Sequence, residues 1–499
     1  MSTAIQGKHF IAGHWQAGSN LFESRNPSQW DETVGLFPCA NSTEVETALL
    51  SAQETFPIWR RTSRIHRAEL FLQLAKQIEL RLDEIAHLMA RECGKNILEC
   101  RAEVIEGLHM VQYVFGTARM SHGDVLASEL PEKDAFVRRK PWGIAAVITP
   151  WNFPFAVPLW MLGPSLLEGN VAIFKPSEDS PAVGQLIVEL FQQAGFPQGT
   201  IQLLHGDGTV GQQLVEDART NVVLFTGSFE VGQKIQLESA SHFNRIVAAE
   251  MGSKSAVIVC EDARLDLAVR AAILSSFKTT GQRCVSASRI LVHESRIEKF
   301  IKDFCEMADR VQFGDALNQR CFAGPLIHHG AVEKVLQYNE LAKKEGVTVH
   351  RDGSTFQPAG NKGCFLQPFI YQTEAKPGLR CIREEVFGPH VAVIPFRNDE
   401  HAAQIYNATD YGLSMAVITE NYRKMRFFRE ECDFGMGYVN LPCIGAEVHL
   451  PFGGVKKSGN GHPSAAGLIE TVTHKISWTV NHGEEIRMAQ GLTANITEN

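Results

Sequence analysis

The sequence predicts an α/β protein with two doubly wound cores and a projecting β arm. Three observations carry this. From Gly143 to Ser239, short runs rich in Val and Ile alternate with helical segments. A second alternation begins at Ala256, and two extended stretches, 118–138 and the tail after Leu468, fit neither series.

Each element has a local cause. The first hundred residues read as mostly helical. Thr43 and Glu46 form a capping box ahead of Val45, Ala48, Leu49 and Ala52, which are apolar at helical spacing. A longer periodic stretch runs from about Arg64 to Cys93, with Gly94 as its stop. Strand and helix then alternate: Ile144–Ile148 and Val157–Leu167, Val171–Phe174 and Val183–Gln193, Ile201–Leu204 and Val210–Asp217, Val222–Phe225 and Val231–Ser239. Such short β-branched runs suit buried parallel strands, and the helices between them serve as crossovers. A nucleotide-type site belongs beyond the carboxyl ends of those strands. The second series takes Ala256–Val259, the helix Leu265–Phe277 and Ile290–His293, and reaches Val391–Pro395 and Met415–Thr419. Ala118–Arg138 and the alternating Ile476, Trp478 and Val480 suggest a sheet that pairs with another copy of the chain, although surface loops fit the pattern equally.

Composition narrows the function. At ~150 residues per domain, 499 residues make two to four domains. With 44% apolar and 21% charged residues, disorder is excluded as the main state. A net charge of −8 argues against nucleic-acid and anionic-membrane partners. No apolar run approaches the ~20 residues of a membrane span, and Met1–Phe10 lacks the layout of a signal peptide. Eleven scattered cysteines without CxxC or zinc spacing point to a reduced, cytoplasmic chain with no structural metal.

Five places carry candidate chemistry. Gly206-Asp-Gly-Thr-Val-Gly211 satisfies GxGxxG after a strand, and fits either a pyrophosphate site or a helix-entry turn. Phe225-Thr-Gly-Ser-Phe-Glu-Val-Gly232 runs a strand into Gly227-Ser228, whose amides would open a helix and attract an anion; an ordinary Ser N-cap fits as well. Cys284 follows Gly-Gln-Arg rather than lying in an apolar run, and Arg283 with helix-start amides would favour its thiolate. Glu250 ends a strand, where a carboxylate is costly unless solvated or paired. Asn152, in the turn after the first core strand, is either a turn residue or an oxyanion donor.

Taken together these residues fall into an ordered set. Pro150-Trp-Asn-Phe-Pro154, Phe174-Lys-Pro-Ser-Glu178, Phe225-Thr-Gly-Ser228, Glu250-Met-Gly, Gly281-Gln-Arg-Cys284, Glu384-Glu-Val-Phe-Gly-Pro389 and Pro451-Phe-Gly-Gly454 occur in that order. The chain thereby resembles the NAD(P)-dependent aldehyde dehydrogenase superfamily over nearly its whole length. The resemblance implies a Rossmann-like cofactor domain (1–118 and 139–250), a catalytic domain (251–450), and an oligomerisation hairpin and strand (119–138 and 468–485) serving a homodimer or homotetramer. It implies Cys284 as nucleophile, Glu250 as the base that activates water, and Asn152 with the Cys284 N–H as oxyanion donors. It assigns Ile148, Trp151, Lys175, Glu178, Gly208, Gly227, Ser228, Glu385 and Phe387 to the cofactor. Phe153, Trp160, Phe277 and Phe452 fit a substrate tunnel, although aromatics at such places fit the core equally. The GxGxxG segment is not the family's pyrophosphate site, although Gly208 falls close to the cofactor. Glu178 favours NAD, because a carboxylate repels a 2′-phosphate, while Lys175 pulls the other way and leaves NADP open.

One position departs from the family pattern: Ser253 stands where many members have glycine, and a positive φ there would strain the loop. The Gly-Gln-Arg and Gly-Ala-Glu-Val-His segments resemble subgroups acting on acidic semialdehydes such as 2-oxoglutarate semialdehyde. Met488–Leu492 resembles instead the aminoadipate semialdehyde group. The expected substrate is a small carboxylated semialdehyde. A CoA-acylating dehydrogenase and a non-catalytic binding protein that keeps the fold are the alternatives.

Overall fold

The computed structural model describes residues 4–358 and 360–488. All but the first residue of Met488–Leu492 lie outside them.

The chain opens with strands rather than helices. Ile5–Gln6, Leu21–Asn26 and Gln29–Pro38 form a three-stranded sheet, while His9–Ile11 and His14–Gln16 extend a larger one. Register shifts at Ser24/Arg25 and Arg25/Asn26 break the two-residue alternation that would have marked the hairpin in the sequence. The first helix, Ser42–Trp59, is capped by Asn41 rather than Thr43. Asn41 Oδ1 accepts from the Thr43 and Glu44 amides at 2.9 and 3.0 Å, and Glu44 Oε2 accepts from the Asn41 amide at 2.8 Å. Two overlapping boxes compete here, and asparagine is the stronger cap. The long periodic stretch is two helices, Arg64–Leu80 and Leu82–Cys93, parted at Arg81, and Gly94 stops the second at φ 69°.

Two parallel cores follow. The first sheet runs, in spatial order, Gly459–Asn460, Ile246–Glu250, Thr220–Thr226, Ile144–Ile148, Val171–Lys175, Ile201–Leu203, His9–Ile11 and His14–Gln16. The chain starts at Ile144–Ile148, moves outward through two strands, then crosses back to Thr220–Thr226 on the other side. That reversal is a topological switch point, where parallel sheets open a crevice. Ile148 stands beside Lys175 and Phe225, and Thr226 beside Glu250, so these residues share one carboxyl rim. The second sheet orders Thr348–Asp352, Phe369–Gln372, His390–Phe396, Arg289–His293, Ala256–Val259, Ser414–Ile418 and Met436–Val439. The Val- and Ile-rich interiors of both sheets are buried, as two-sided coverage by helices requires.

The arm is a third sheet. Thr473–Asn481 pairs antiparallel with Lys133–Pro141 along its whole length, and Gly123–Leu126 lies on the other side. Val125 and Trp478 on it are exposed.

The helix Ile97–Thr117 joins the first core to the site. Its Glu103, fully buried, accepts at Oε1 from the Phe155 and Ala156 amides at 2.9 and 3.1 Å, capping the helix Ala156–Glu168. Its other oxygen pairs with buried Lys95, whose ammonium lies 3.7 Å from the centre of the Phe153 ring. Removing one partner of such a pair strands the other charge. Glu103→Ala should therefore lower unfolding stability by about 3–5 kcal/mol in chemical denaturation, well beyond an ordinary lost cap.

Candidate active site

Cys284 lies in the loop between the helix Leu265–Phe277 and the strand Arg289–His293, where the second core meets the carboxyl rim of the first. Two cavities share it. One is walled by Asn152, Phe153, Trp160, Phe452, Glu250 and Arg283; the other by Ser253, Gly281, Glu385, Phe387 and His390. The thiol thus faces an aromatic tunnel on one side and the crevice on the other.

The loop is bent by an unusual backbone. Thr279, Thr280 and Gly281 are successively left-handed, with φ of 52°, 56° and 74°. For a β-branched residue this costs roughly 1–2 kcal/mol each. Gly281 has a further reason to be glycine: a Cβ would stand 2.4 Å from the Gly388 carbonyl oxygen. The Thr280 hydroxyl donates to the Gly324 carbonyl at 2.6 Å, and the Gln282 side chain ties to the Thr279 and Pro325 carbonyls and the Ile327 amide. Asn152, almost fully buried, donates from Nδ2 to the Gln282 carbonyl at 3.0 Å, which leaves its second N–H for a ligand.

Electrostatics correct the expectation of a thiolate favoured by Arg283. The Arg283 guanidinium donates to Thr279 Oγ1 at 2.8 Å and to Glu99 Oε1 at 2.7 Å. Burial raises the Cys284 thiol well above its usual range, with Glu250 and then Glu385 adding to it; only the Val285 amide opposes. Burial likewise pushes Glu250 up to about 8, with the thiol contact opposing and Glu385 adding. The resting pair is a neutral thiol beside a largely protonated carboxyl. Glu250 Oε1, Thr226 Oγ1 and Trp160 Nε1 are buried with no hydrogen-bond partner among the described residues, and all three residues line the tunnel. Three orphaned polar atoms around one cavity mark a place for a polar ligand.

The other sequence-predicted residues are placed as follows. Phe153 and Trp160 line the tunnel with Phe452, whose ring centre is 5.0 Å from that of Trp160. Phe277 does not: it is fully buried and stacks on Phe304 at 5.8 Å, because its position faces the core of the second sheet. On the crevice side, Ile148 and Lys175 end adjacent strands, and Lys175 Nζ meets Glu178 Oε2 at 3.1 Å. Trp151 and Phe387 meet edge to face at 5.8 Å. Gly208 begins the helix Gly208–Glu216, where an added Cβ would meet nothing within 4 Å, and the Gly227 amide donates to the Glu250 carbonyl at 3.1 Å. Ser228 caps the next helix, its Oγ accepting from the Val231 amide at 3.3 Å. Glu385 is held by the Ser253 amide at 2.7 Å. The strain expected at Ser253 is absent, since its φ is not positive; its hydroxyl lies 2.6 Å from that of Ser255. At the neighbouring Gly252 a Cβ would stand 2.7 Å from Glu385 Oε2, so a side chain there would displace that carboxyl. A switch-point crevice with an open glycine helix start, a Lys–Glu pair and a buried acid suits a dinucleotide.

Sequence reasoning missed Thr226, Glu99 and Glu106. The last two belong to Glu99, Glu103 and Glu106, an i, i+4, i+7 stripe on the helix Ile97–Thr117. An acidic stripe on a helix otherwise apolar on that face is a signal that the sequence did contain. Among the described residues no cluster of three or more His, Cys, Asp or Glu could hold a metal ion, and no helix is long and apolar enough to cross a membrane.

Comparison with known proteins follows the same lines. The aldehyde dehydrogenase family matches residues 15–476. Alpha-ketoglutaric semialdehyde dehydrogenase of Bacillus subtilis (strain 168) is 34% identical, covering 91% of this chain and 93% of that relative. Malonate-semialdehyde dehydrogenase 3 of Geobacillus kaustophilus is 31% identical, covering 94% and 97%. Among solved structures, PnpE in complex with nicotinamide adenine dinucleotide superposes with a TM-score of 0.91 at 31% identity, over 97% of this chain and 99% of that one. Betaine aldehyde dehydrogenase of Staphylococcus aureus in complex with NAD+ gives 0.92 at 28% identity, over 96% of each.

The Glu250 carboxyl also has a consequence for stability. Its folded pKa is raised from 4.5 to about 8, so the native state holds a proton that the unfolded chain releases, and stability falls as pH rises between those values. Glu250→Gln should match wild type in thermal melts near pH 5 and exceed it by roughly 2–5 kcal/mol at pH 9.

Proposed function

The chain belongs to the aldehyde dehydrogenase family, and on that premise we propose that it oxidises a small carboxylated semialdehyde to the acid, with NAD as cofactor. The observation that carries this is Cys284 at the junction of the two cavities, with Glu250 beside it.

Each residue has a role. Cys284 forms a sulfur–carbon bond to the aldehyde carbon as the carbonyl π pair moves to oxygen. The free Asn152 N–H and the Cys284 amide receive that oxyanion; one such donor is worth ~3 kcal/mol. The thiol proton passes to solvent as the sulfur attacks, which leaves Glu250 for the water step. NAD held on the crevice side would supply the acceptor for the hydride that leaves the substrate carbon. Cys284 then carries the acyl group as a thioester; Glu250 takes a proton from the attacking water and returns it to the sulfur as the carbon–sulfur bond breaks and the acid leaves. Lys175 and Glu178 would hold the adenosine ribose, Gly208, Gly227 and Ser228 the adenine and phosphates, Ile148 and Trp151 the adjoining rim, and Glu385 with Phe387 the nicotinamide ribose.

Arg283 supports a substrate carrying a carboxylate. It lines the tunnel and spends Nε on Thr279 of its own loop and Nη2 on Glu99, leaving Nη1 without an acceptor among the described residues. Glu106 also lines the tunnel, and an ionised carboxylate there would repel such a substrate. Burial pushes it up to about 8, with Glu103 adding and Arg283 and Lys95 opposing, so at pH 7 it is mostly neutral and can donate a hydrogen bond. The relatives named for semialdehydes agree with this reading. We also assign self-association to the arm and a reducing, cytoplasmic setting to the chain; all eleven cysteines are free.

Cys284→Ala should abolish NADH formation from every aldehyde tried. Glu250→Gln should keep a first-turnover burst while steady turnover falls, and in wild type steady turnover should climb with pH through about 8. Wild-type turnover surviving in Cys284→Ala refutes the nucleophile.

Selectivity tests the substrate class separately. The kcat/KM ratio of an ω-carboxylated to an uncharged aldehyde should fall roughly 10–100-fold in Arg283→Leu. In wild type the ratio should also fall as pH passes about 8 and Glu106 ionises, and Glu106→Gln should flatten that decline.

A further inference from the structure

We propose that Glu99 is a positioning residue for the nucleophile: its carboxylate holds the left-handed turn at Thr279 and the Arg283 side chain, and so sets where Cys284 leaves the loop. The proposal rests on reading Cys284 as the reactive thiol.

The geometry is specific. Glu99, on the first turn of the helix Ile97–Thr117, accepts from the Thr279 amide at 3.1 and 3.2 Å through its two oxygens. Its Oε1 also accepts from the Thr279 hydroxyl at 3.2 Å and from Arg283 Nη2 at 2.7 Å. The Thr279 hydroxyl oxygen accepts in turn from Arg283 Nε at 2.8 Å. One carboxylate therefore ties the start of the loop to the residue that precedes Cys284, and it touches neither the thiol nor the tunnel lining other than Arg283.

The knot addresses two costs at once. Thr279 is buried, and without Glu99 its amide would have no acceptor among the described residues. It is also left-handed and β-branched, a conformation that persists only when its surroundings over-determine it. The remaining tethers hold other atoms: Thr280 on Gly324, and Gln282 on the Thr279 carbonyl, Pro325, Ile327 and Asn152. None of them fixes Thr279 N–H or the Arg283 guanidinium. The base of the Glu99 helix is itself anchored to the second core, since Asn96 Nδ2 donates to the Asn318 and Cys321 carbonyls at 3.1 Å. Glu99 thus works from a fixed platform.

A holding role predicts a particular rescue. Glycine adopts the left-handed region freely, so Thr279→Gly relieves the conformational demand that Glu99 otherwise meets. The full chain would be compared as wild type, Glu99→Gln, Glu99→Ala, Thr279→Gly and Glu99→Ala/Thr279→Gly. Readouts are the NADH burst rate, the rate of Cys284 alkylation by iodoacetamide followed by peptide mass spectrometry, and the thermal melt. We expect Glu99→Ala to slow burst and alkylation about 30-fold, with the KM for NAD unchanged. Glu99→Gln, which keeps one acceptor oxygen, should lose about threefold, and the double variant should recover about tenfold over Glu99→Ala. Alkylation within twofold of wild type in Glu99→Ala, or a double variant no faster than Glu99→Ala, overturns the proposal. Should Glu99→Ala not fold, Glu99→Gln with and without Thr279→Gly is judged by the same rescue. Alkylation needs no aldehyde, so an active Cys284→Ala would sink the nucleophile while leaving the loop result readable.

Discussion

Everything at this site depends on one contact: a thiol and a carboxyl deprived of water where the rims of two sheets meet. Removing solvent raises both groups; the carboxyl raises the thiol further, while the thiol contact pulls the carboxyl part of the way back. Water would solvate both ions and dissolve the coupling. The surrounding architecture accordingly restricts its approach: aromatic walls on one side, the Glu385 and Phe387 segment on the other, and a loop bent sharply enough to present sulfur to both. Desolvation is destabilising for the fold and useful for chemistry, because a base poised near 8 can both give and take a proton around neutrality.

The helix Ile97–Thr117 links that pair to the rest of the chain. Glu99 reaches the nucleophile's loop, Glu103 caps the helix behind Phe153, and Glu106 faces the tunnel. Three acids on one face would repel one another if all were ionised and unpaired. Instead Glu99 meets Arg283, Glu103 meets Lys95, and burial pushes Glu106 up to about 8, so each acid is accommodated separately. One helix thereby holds loop, wall and tunnel in register.

Much of this was legible in the residues. Buried parallel strands leave β-branched runs that survive any tertiary context, and both cores could be read from them. Asn152, Glu250 and Cys284 stood out because polar groups at strand ends and in glycine-rich turns are costly without purpose. What escaped depended on partners far along the chain. The opening hairpin was hidden by its bulges, and Asn41 by a competing box one turn wide. Phe277 reads as tunnel or core until Phe304 is seen against it. Arg283 reads as a charge for the thiol until Glu99, 184 positions away, is found holding it.

The first sheet has one more implication, for how the molecule comes into being. Its edges come from opposite ends of the chain: His14–Gln16 closes one flank and Gly459–Asn460 the other, with Gly459 paired against Glu250. During synthesis at about 5–20 residues per second, the strand bearing Glu250 waits with a bare edge until the ribosome releases residues more than two hundred positions downstream. The nascent chain therefore carries an edge open to pairing with other chains for much of its elongation, which makes its own synthesis the period of greatest aggregation hazard.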